Sequence, residues 1–130
     1  MSNIPANLKF AESNEWILVE GSTGTVGISD YAQNQLSDIV FAEIVVAEGD
    51  EIKQGDTIAT IESVKAAADV YSPVSGKIVA INEDLGAAPE VINSSPYEAA
   101  WIIKIELSDP AELKPLMDAV AYGAHVESQG

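Results

Sequence analysis

Lys65 is the residue of this chain whose surroundings best suit chemistry. It lies in the segment Glu62-Ser63-Val64-Lys65-Ala66, between two apolar runs that predict strands over Thr57–Ser63 and over residues 66–71. If these runs pair as a hairpin, Val64 and Lys65 form its tip, and the long lysine side chain holds its amine clear of the protein body. Such an amine can serve as a nucleophile or can accept an acyl group.

The composition of this tip departs from the usual turn rule. Two-residue hairpin turns favour Asn-Gly or Gly-X because positive φ angles are accessible there, whereas a β-branched valine and a lysine stand here. Positions that break a local rule without a packing gain are often functional. Turn signals also flank Lys65 at similar distances, so the middle of the chain is roughly symmetric about it. These signals are Gly49-Asp50, Gly55-Asp56, Ser72-Pro73 and Ser75-Gly76.

Two interpretations of Lys65 follow from these observations. A lysine at a hairpin tip is usually a solvated charge, which explains its exposure alone. A protein that carries a modified lysine would also explain the symmetric flanks and the unusual turn residues. The residues therefore favour a modified-lysine carrier.

Charge and composition exclude several function classes. The chain has 130 residues, 21 of them acidic and six basic, and its formal net charge is −15. All six basic residues are lysines, so a phosphate-binding face for nucleic acid or an anionic membrane is excluded, and basic protein partners are favoured. Cysteine is absent and His125 is the only histidine, which argues against thiolate chemistry, a histidine-based triad or a zinc site.

Targeting signals are lacking in the sequence. No apolar run approaches the roughly 20 residues that a membrane helix needs. The segment Met1-Ser2-Asn3-Ile4-Pro5 has neither a basic and apolar signal nor an arginine-rich transit peptide. We expect a cytoplasmic, bacterial protein, or a mitochondrial matrix protein whose presequence has been removed.

The elements around Lys65 predict a mainly β fold, a sandwich or flattened barrel that forms a single domain over residues 1–130. Ser29-Asp30 with Gln33 predicts a short helix near residues 30–36. Asp109-Pro110 with Glu112 predicts a C-terminal helix near residues 110–119. Strands are expected at residues 16–20, 25–28, 39–47, 57–63, 66–71, 77–82 and 101–107.

Several further segments, in fixed order from about Leu8 to Tyr122, carry a family resemblance. Besides the lysine segment they are Gly27-Ile28-Ser29-Asp30-Tyr31-Ala32-Gln33, Asp38-Ile39-Val40-Phe41, Tyr71-Ser72-Pro73-Val74-Ser75-Gly76, Val91-Ile92-Asn93-Ser94-Ser95-Pro96-Tyr97 and Trp101-Ile102-Ile103-Lys104-Ile105. Together they resemble the H-protein family of the glycine cleavage system. The resemblance implies the lipoyl/biotinyl fold, a barrel-sandwich hybrid, with its hairpin centred on Lys65.

The resemblance also implies a cofactor and a role. Members of this family carry lipoic acid in amide linkage on the lysine that matches Lys65, within a lipoylation motif formed here by Glu62, Ser63, Val64 and Ala66. The implied role is that of a non-catalytic shuttle. It takes an aminomethyl group from glycine decarboxylase (the P protein) to the aminomethyltransferase (the T protein). Dihydrolipoamide dehydrogenase (the L protein) then reoxidises the dithiol, and a lipoylating enzyme is the fourth partner.

The aminomethyl group needs a cleft that excludes water, and the resemblance places Ser13, Glu15 and Asp69 there. Two departures from the family accompany this. Asn14 stands where family members usually have histidine, and an asparagine does not titrate near neutral pH. Residues 43–49 lack the usual proline and are one residue longer, which predicts a changed strand end or a bulge.

Three related carriers are the alternatives. A biotin carrier usually has methionine on both sides of its lysine, whereas Val64 and Ala66 flank Lys65 here. A lipoyl domain of a 2-oxo acid dehydrogenase complex is usually shorter and is followed by an Ala/Pro linker. A lipoyl relay protein, which donates lipoyl groups to other carriers, is not excluded by the sequence.

Overall fold

The computed structural model describes residues 6–129, and the chain there is mainly β, as predicted. Nine strands form two antiparallel sheets, one of six strands in the order β1-β2-β3-β9-β8-β5 and one of three in the order β4-β6-β7. The strands are β1 (Lys9–Phe10), β2 (Glu15–Glu20), β3 (Thr23–Ile28), β4 (Ile39–Ile44), β5 (Glu51–Ile52), β6 (Thr57–Ser63), β7 (Ala67–Tyr71), β8 (Gly76–Ile81) and β9 (Ile103–Leu107). The helices are α1 (Asp30–Leu36), α2 (Val91–Ser94) and α3 (Ala119–Gln129).

Both sheets contribute apolar side chains to one core. Ile58 and Ile61 of β6 are fully buried, and so are Ile78 of β8 and Ile105 of β9. Because successive strand residues point to opposite faces, the same strands present exposed residues on their outer faces. The hairpin of β6 and β7 thus packs with its inner face against this core.

Helix α1 has the bounds that the sequence predicts, although its cap differs in detail. Ser29 is the N-cap residue, and its hydroxyl accepts a hydrogen bond from the Ala32 amide at 3.2 Å. Asp30 and Gln33 do contact each other, but through their side chains, with Gln33 Nε2 donating to Asp30 Oδ1 at 2.7 Å. Asp30 and Gln33 thus form a side-chain hydrogen bond within the first turn of α1, and Ser29 caps the helix.

The predicted C-terminal helix near residues 110–119 is wrong in position. Asp109 does cap a helical segment, but this is a single 3₁₀ turn, Pro110–Leu113. The Glu112 carboxylate accepts hydrogen bonds from the amide and the hydroxyl of Ser75, the residue directly before β8. Pro115 ends the segment because proline has no amide hydrogen with which to continue the helical hydrogen bonds.

The α-helix begins four residues later, at Ala119, and closes a second apolar cluster. Tyr122 is fully buried and stacks on Phe10 with ring centroids 4.3 Å apart. Trp16 and Leu8 complete the cluster, which lies against β1 and β2. Asp118 caps the helix, since its Oδ1 accepts a hydrogen bond from the Ala121 amide at 2.8 Å.

Replacing Asp118 tests whether this cap supports α3. Asp118→Ala should lower the free energy of unfolding by about 1 kcal/mol, the usual cost of losing an N-cap side chain. Urea unfolding followed by tyrosine and tryptophan fluorescence measures the change. Glu127→Ala, an exposed position near the other end of α3, is the control and should leave stability nearly unchanged. Equal stability of both variants would contradict the capping role.

Strand β4 is shorter than predicted, since it ends at Ile44 and not at Ala47. A β-bulge does occur in it, but upstream of the segment where the sequence placed one. The register with β6 shifts between Ile39 and Phe41, so Val40 has no partner across the ladder.

Candidate functional site

The structure places Val64 and Lys65 at the tip of the hairpin formed by β6 and β7. Glu62 pairs with Ala67, and the Ser63 amide donates to the Ala66 carbonyl at 2.7 Å. Both tip side chains are exposed, Val64 to 67%. Lys65 therefore presents its amine to solvent at the end of a paired, well-supported ribbon.

The turn avoids the backbone strain that its composition suggests. Neither Val64 nor Lys65 has a positive φ angle, so the turn is not of the primed type that requires glycine. The Ser63 hydroxyl holds it instead: Oγ accepts from the Lys65 amide at 3.3 Å and from the Ala66 amide at 3.0 Å, and donates to the Ala66 carbonyl at 3.1 Å. One serine thus makes a valine-lysine turn possible.

A second anchor ties the tip to the neighbouring strand. The Val64 amide donates to the Asp38 carbonyl at 3.1 Å, immediately before β4. Asn93 of α2 fixes this part of the chain, because its Oδ1 accepts from the Ile39 amide at 2.8 Å and its Nδ2 donates to the Ser37 carbonyl at 2.8 Å. Ser37 itself has a φ of 68°, an uncommon conformation that these contacts help to hold.

A cleft of about 330 Å³ lies at the other end of β7. Tyr71 stands six residues beyond Lys65, about 20 Å along an extended strand. Ser13 and Glu15 line one side of the cleft, and the rest of its lining is Ala11, Gln54, Gly55, Tyr71, Ser72, Pro73 and Leu116. The tip and the cleft therefore share one strand.

Glu15 is the buried acid of this cleft. Its carboxylate accepts hydrogen bonds from the Ser13 hydroxyl and, at 3.2 Å, from the Tyr71 amide. Burial outweighs these bonds and raises the pKa of Glu15 from 4.5 to about 6. At neutral pH the group is mostly ionised, although none of the residues that line the cleft is basic.

Asn14, directly before Glu15, links the cleft to helix α3. Its φ is 77°, a left-handed conformation that asparagine tolerates better than most residues. Asn14 Oδ1 accepts a hydrogen bond from the Tyr122 hydroxyl at 2.8 Å, and that hydroxyl also lies 2.6 Å from Ser29 Oγ. Burial raises the pKa of Tyr122 to about 12, so the phenol stays protonated and α3 is tied to the turn before Glu15.

Asp69 is not among the residues that line the cleft. Its side chain is exposed on the outer face of β7, where Thr60 Oγ1 donates to Asp69 Oδ1 at 3.3 Å. Of the three cleft residues that the sequence predicts, Ser13 and Glu15 line the cleft, and Asp69 lies two residues from Tyr71 on the same face of β7.

Residues 6–129 lack two further features. No helix in this range is long and apolar enough to span a bilayer. The same residues contain no group of three or more acidic, histidine or cysteine side chains arranged to hold a metal ion.

Comparison with known proteins decides the family. The model of the family "Glycine cleavage H-protein" matches residues 8–129. The chain belongs to the glycine cleavage H-protein family. The H protein of Acidobacterium capsulatum is 53% identical over 125 residues, covering 96% of this chain and 95% of the relative. That of Symbiobacterium thermophilum is 51% identical over 124 residues, with 95% and 96% covered.

A solved structure agrees with this assignment. The H protein of Mycobacterium marinum has a TM-score of 0.83 and 28% identity, and the match covers 93% of this chain and 97% of that one. The predicted lipoyl-type sandwich is thereby confirmed. As an H-protein family member, the chain is a component of the glycine cleavage system, the first of the functions that the sequence predicts.

Sequence reasoning missed two supports of the site in this H-protein family member. Ser63 was predicted only as part of a motif, although it closes the turn by itself. Asn93 was noted only within a family segment, although its hydrogen bonds join α1 to the start of β4. A serine directly before a turn was a usable signal, because its hydroxyl can accept from nearby amides. The contacts of Asn93 span 54 to 60 residues, so no local pattern reveals them.

The raised pKa of Glu15 predicts a pH-dependent difference from a Glu15→Gln variant. Because the folded state holds this proton more tightly, ionisation costs stability between the unfolded pKa near 4.5 and the folded pKa near 6. As the pH rises from 4 to 7, wild type should lose about 2 kcal/mol of unfolding free energy relative to the variant. Urea titrations of both proteins at each pH measure this difference. A difference in unfolding free energy that does not change with pH would show that burial does not raise the pKa of Glu15.

Proposed function

We propose that the chain is one lipoyl-carrier domain that holds lipoate in amide linkage on Nζ of Lys65. The observation that carries the proposal is the tip itself. Lys65 is exposed, while the backbone on either side is fixed by the Ser63 hydroxyl and the Asp38 carbonyl. A modifying enzyme needs such an amine, accessible to its active site and presented in one orientation.

The residues at the tip fit a covalent acyl group. Once it has lost its proton, the lysine nitrogen attacks an activated acyl carbon, an amide bond forms, and the activating group leaves. Within residues 6–129, no contact of the Lys65 ammonium group has to be broken first. When bound, lipoate supplies a disulfide ring whose sulfur accepts an aminomethyl group and later releases it.

We infer that Ser13 and Glu15 receive the amine of this cargo. The Glu15 carboxylate is buried without a basic residue in the cleft lining, so a cationic amine would supply the missing positive charge. The resulting hydrogen bonds are charge-assisted, and the apolar side of the cleft keeps water from the bound group.

The protein acts on no substrate itself in this proposal. Its partners are glycine decarboxylase, the aminomethyltransferase, dihydrolipoamide dehydrogenase and a lipoylating enzyme, all in the cytoplasm. A net charge of −15 favours their docking through basic surfaces and speeds encounter at low salt. One acidic carrier can thus visit several enzymes in turn.

Lipoylation in vitro tests the proposal. The protein is incubated with lipoate, ATP and a lipoate ligase, and its intact mass is then measured, with fragment mapping. We expect one lipoyl increment on Lys65, after which the protein should support glycine decarboxylation by the P protein. No increment on correctly folded protein, or an increment without decarboxylation, would contradict the proposed role.

A further inference from the structure

The turn of residues 11–14, between β1 and β2, is held at both ends by the C-terminal segment. Before the turn, Phe10 exchanges two backbone hydrogen bonds of 2.8 Å with Met117. At the end of the turn, the Tyr122 hydroxyl donates to Asn14 Oδ1 at 2.8 Å, across 108 residues of sequence. The position of this turn therefore depends on the segment that begins α3.

The Tyr122 hydroxyl is committed to this contact. It lies 2.6 Å from Ser29 Oγ, which itself accepts a hydrogen bond from the Ala32 amide at 3.2 Å. Because the phenol gives its one proton to Asn14, the Ser29 hydroxyl donates to the phenol oxygen. A phenylalanine would fill the same buried space against Phe10, so the packing of the ring does not by itself require the hydroxyl. The hydroxyl adds direction, since a hydrogen bond restricts both the distance and the angle to Asn14.

Asn14 passes this constraint to the cleft. Its φ of 77° is a conformation that few residues adopt. Its amide donates to the Ala11 carbonyl at 2.9 Å, and its carbonyl accepts from the Ser29 amide at 2.9 Å. Ala11, Ser13 and Glu15, which lie on either side of Asn14, all line the cleft. A rotation at Asn14 would therefore change how the Ser13 hydroxyl and the Glu15 carboxylate face the cleft.

We propose that Tyr122 is a positioning residue of the cargo cleft. Through Asn14, its hydroxyl holds Ser13 and Glu15 in the arrangement that retains the amine of the cargo. This inference rests on the proposed function and makes α3 necessary for retention, although no residue of this helix lines the cleft. The Lys65 tip lies about 20 Å from the cleft along β7, so loss of the hydroxyl should not alter lipoylation.

The pKa of Glu15 in the unmodified protein is the first test. Tyr122→Phe keeps the stacked ring and removes the hydroxyl, so the turn should loosen and water should reach the carboxylate. We expect the pKa of Glu15, followed by NMR titration of its carboxyl carbon, to fall from about 6 toward 4.5, because burial is what raises it. Asn14→Gly removes the same bond from the other side and should have the same effect, since glycine adopts the left-handed backbone freely. The double variant should add nothing further, because both changes break one contact.

Retention of the cargo is the second test. Lipoylated protein is loaded with glycine and the P protein, the P protein is removed, and the release of ammonia is followed. Hydrolysis consumes one water and releases formaldehyde and ammonia, which leaves the sulfur as a thiol. Release should be about tenfold faster from Tyr122→Phe, the effect of weakening roughly one hydrogen bond to a charged group.

Tyr97→Phe is the matched control for both tests. The Tyr97 ring packs in the same apolar cluster as Tyr122, and its hydroxyl accepts a hydrogen bond from the amide of Asp30, the first residue of α1, at 2.9 Å. Its loss removes a phenol hydroxyl of the same kind without breaking the contact to Asn14. We therefore expect this variant to change neither the pKa of Glu15 nor the release of ammonia.

The outcomes separate this inference from the proposed function. Lipoylated wild type that takes up no cargo would overturn the proposed function and the role of Tyr122 with it. If wild type retains cargo, an unchanged pKa of Glu15 and an unchanged release rate in Tyr122→Phe would overturn the positioning role alone. Equal changes in Tyr97→Phe, or additive changes in the double variant, would also overturn it, because the effect would not pass through Asn14. Thermal melting verifies that each variant is folded, and Asn14→Gly replaces Tyr122→Phe in both tests if that variant is not.

Discussion

Lys65→Arg should leave the fold intact and reduce lipoylation and carrier activity to background. The side chain is exposed at the hairpin tip, so its replacement removes almost no packing. Arginine keeps the positive charge, but its guanidinium stays protonated and offers no free amine to an acyl donor. Intact mass after incubation with lipoate ligase, thermal melting and glycine decarboxylation with the partner enzymes measure the three quantities.

A second lysine provides the control for this experiment. Lys77 is also exposed, on β8, and Lys77→Arg should still gain a single lipoyl group at the wild-type rate. A lipoyl increment on Lys65→Arg would place the acceptor at another lysine. Unfolding of Lys65→Arg would contradict the placement of this residue at an unburied tip.

The sequence predicted correctly those strands and helices whose bounds depend on neighbouring residues alone. Strand Thr57–Ser63 and helix Asp30–Leu36 have the predicted bounds, because an apolar run and an N-cap serine fix them within a few residues. The prediction of the C-terminal helix was wrong because local start and stop signals compete there. Asp109-Pro110 starts a helix, Pro115 stops it after one turn, and the Asp118 cap restarts it.

The site was harder to predict because its properties come from distant residues. Glu15 is one of 21 acidic residues in the sequence, and it is buried at a cleft that it shares with residues far along the chain, such as Tyr71, Pro73 and Leu116. Val64 and Lys65 break the composition rule for two-residue turns, but the Ser63 hydroxyl and the Asp38 carbonyl hold a turn that needs no positive φ angle. The predicted position of Lys65 at an exposed hairpin tip is confirmed, whereas the role of Ser63 in closing the turn was not predicted.

Asn93→Ala should lower the free energy of unfolding by about 3 kcal/mol and loosen the lysine tip. The Asn93 side chain makes three hydrogen bonds of 2.8 Å, to the Ile39 amide, the Ser37 carbonyl and Gln33 Oε1. Truncation leaves these groups without their partner, at about 1 kcal/mol each. Ser37 and Asp38 then lose the constraint that holds the Asp38 carbonyl against the Val64 amide.

Amide hydrogen exchange distinguishes loosening of the tip from a general loss of stability. If Asn93 positions the tip, the Val64 amide should lose more protection than the global change accounts for, whereas core amides such as that of Ile105 should follow the global change. Asn34→Ala, at an exposed position of α1, is the control and should alter neither. Asn93→Asp keeps the acceptor for the Ile39 amide and should lie between wild type and Asn93→Ala. Equal loss of protection at Val64 and Ile105 would mean that Asn93 supports the fold as a whole, and that Ser63 alone orders the tip.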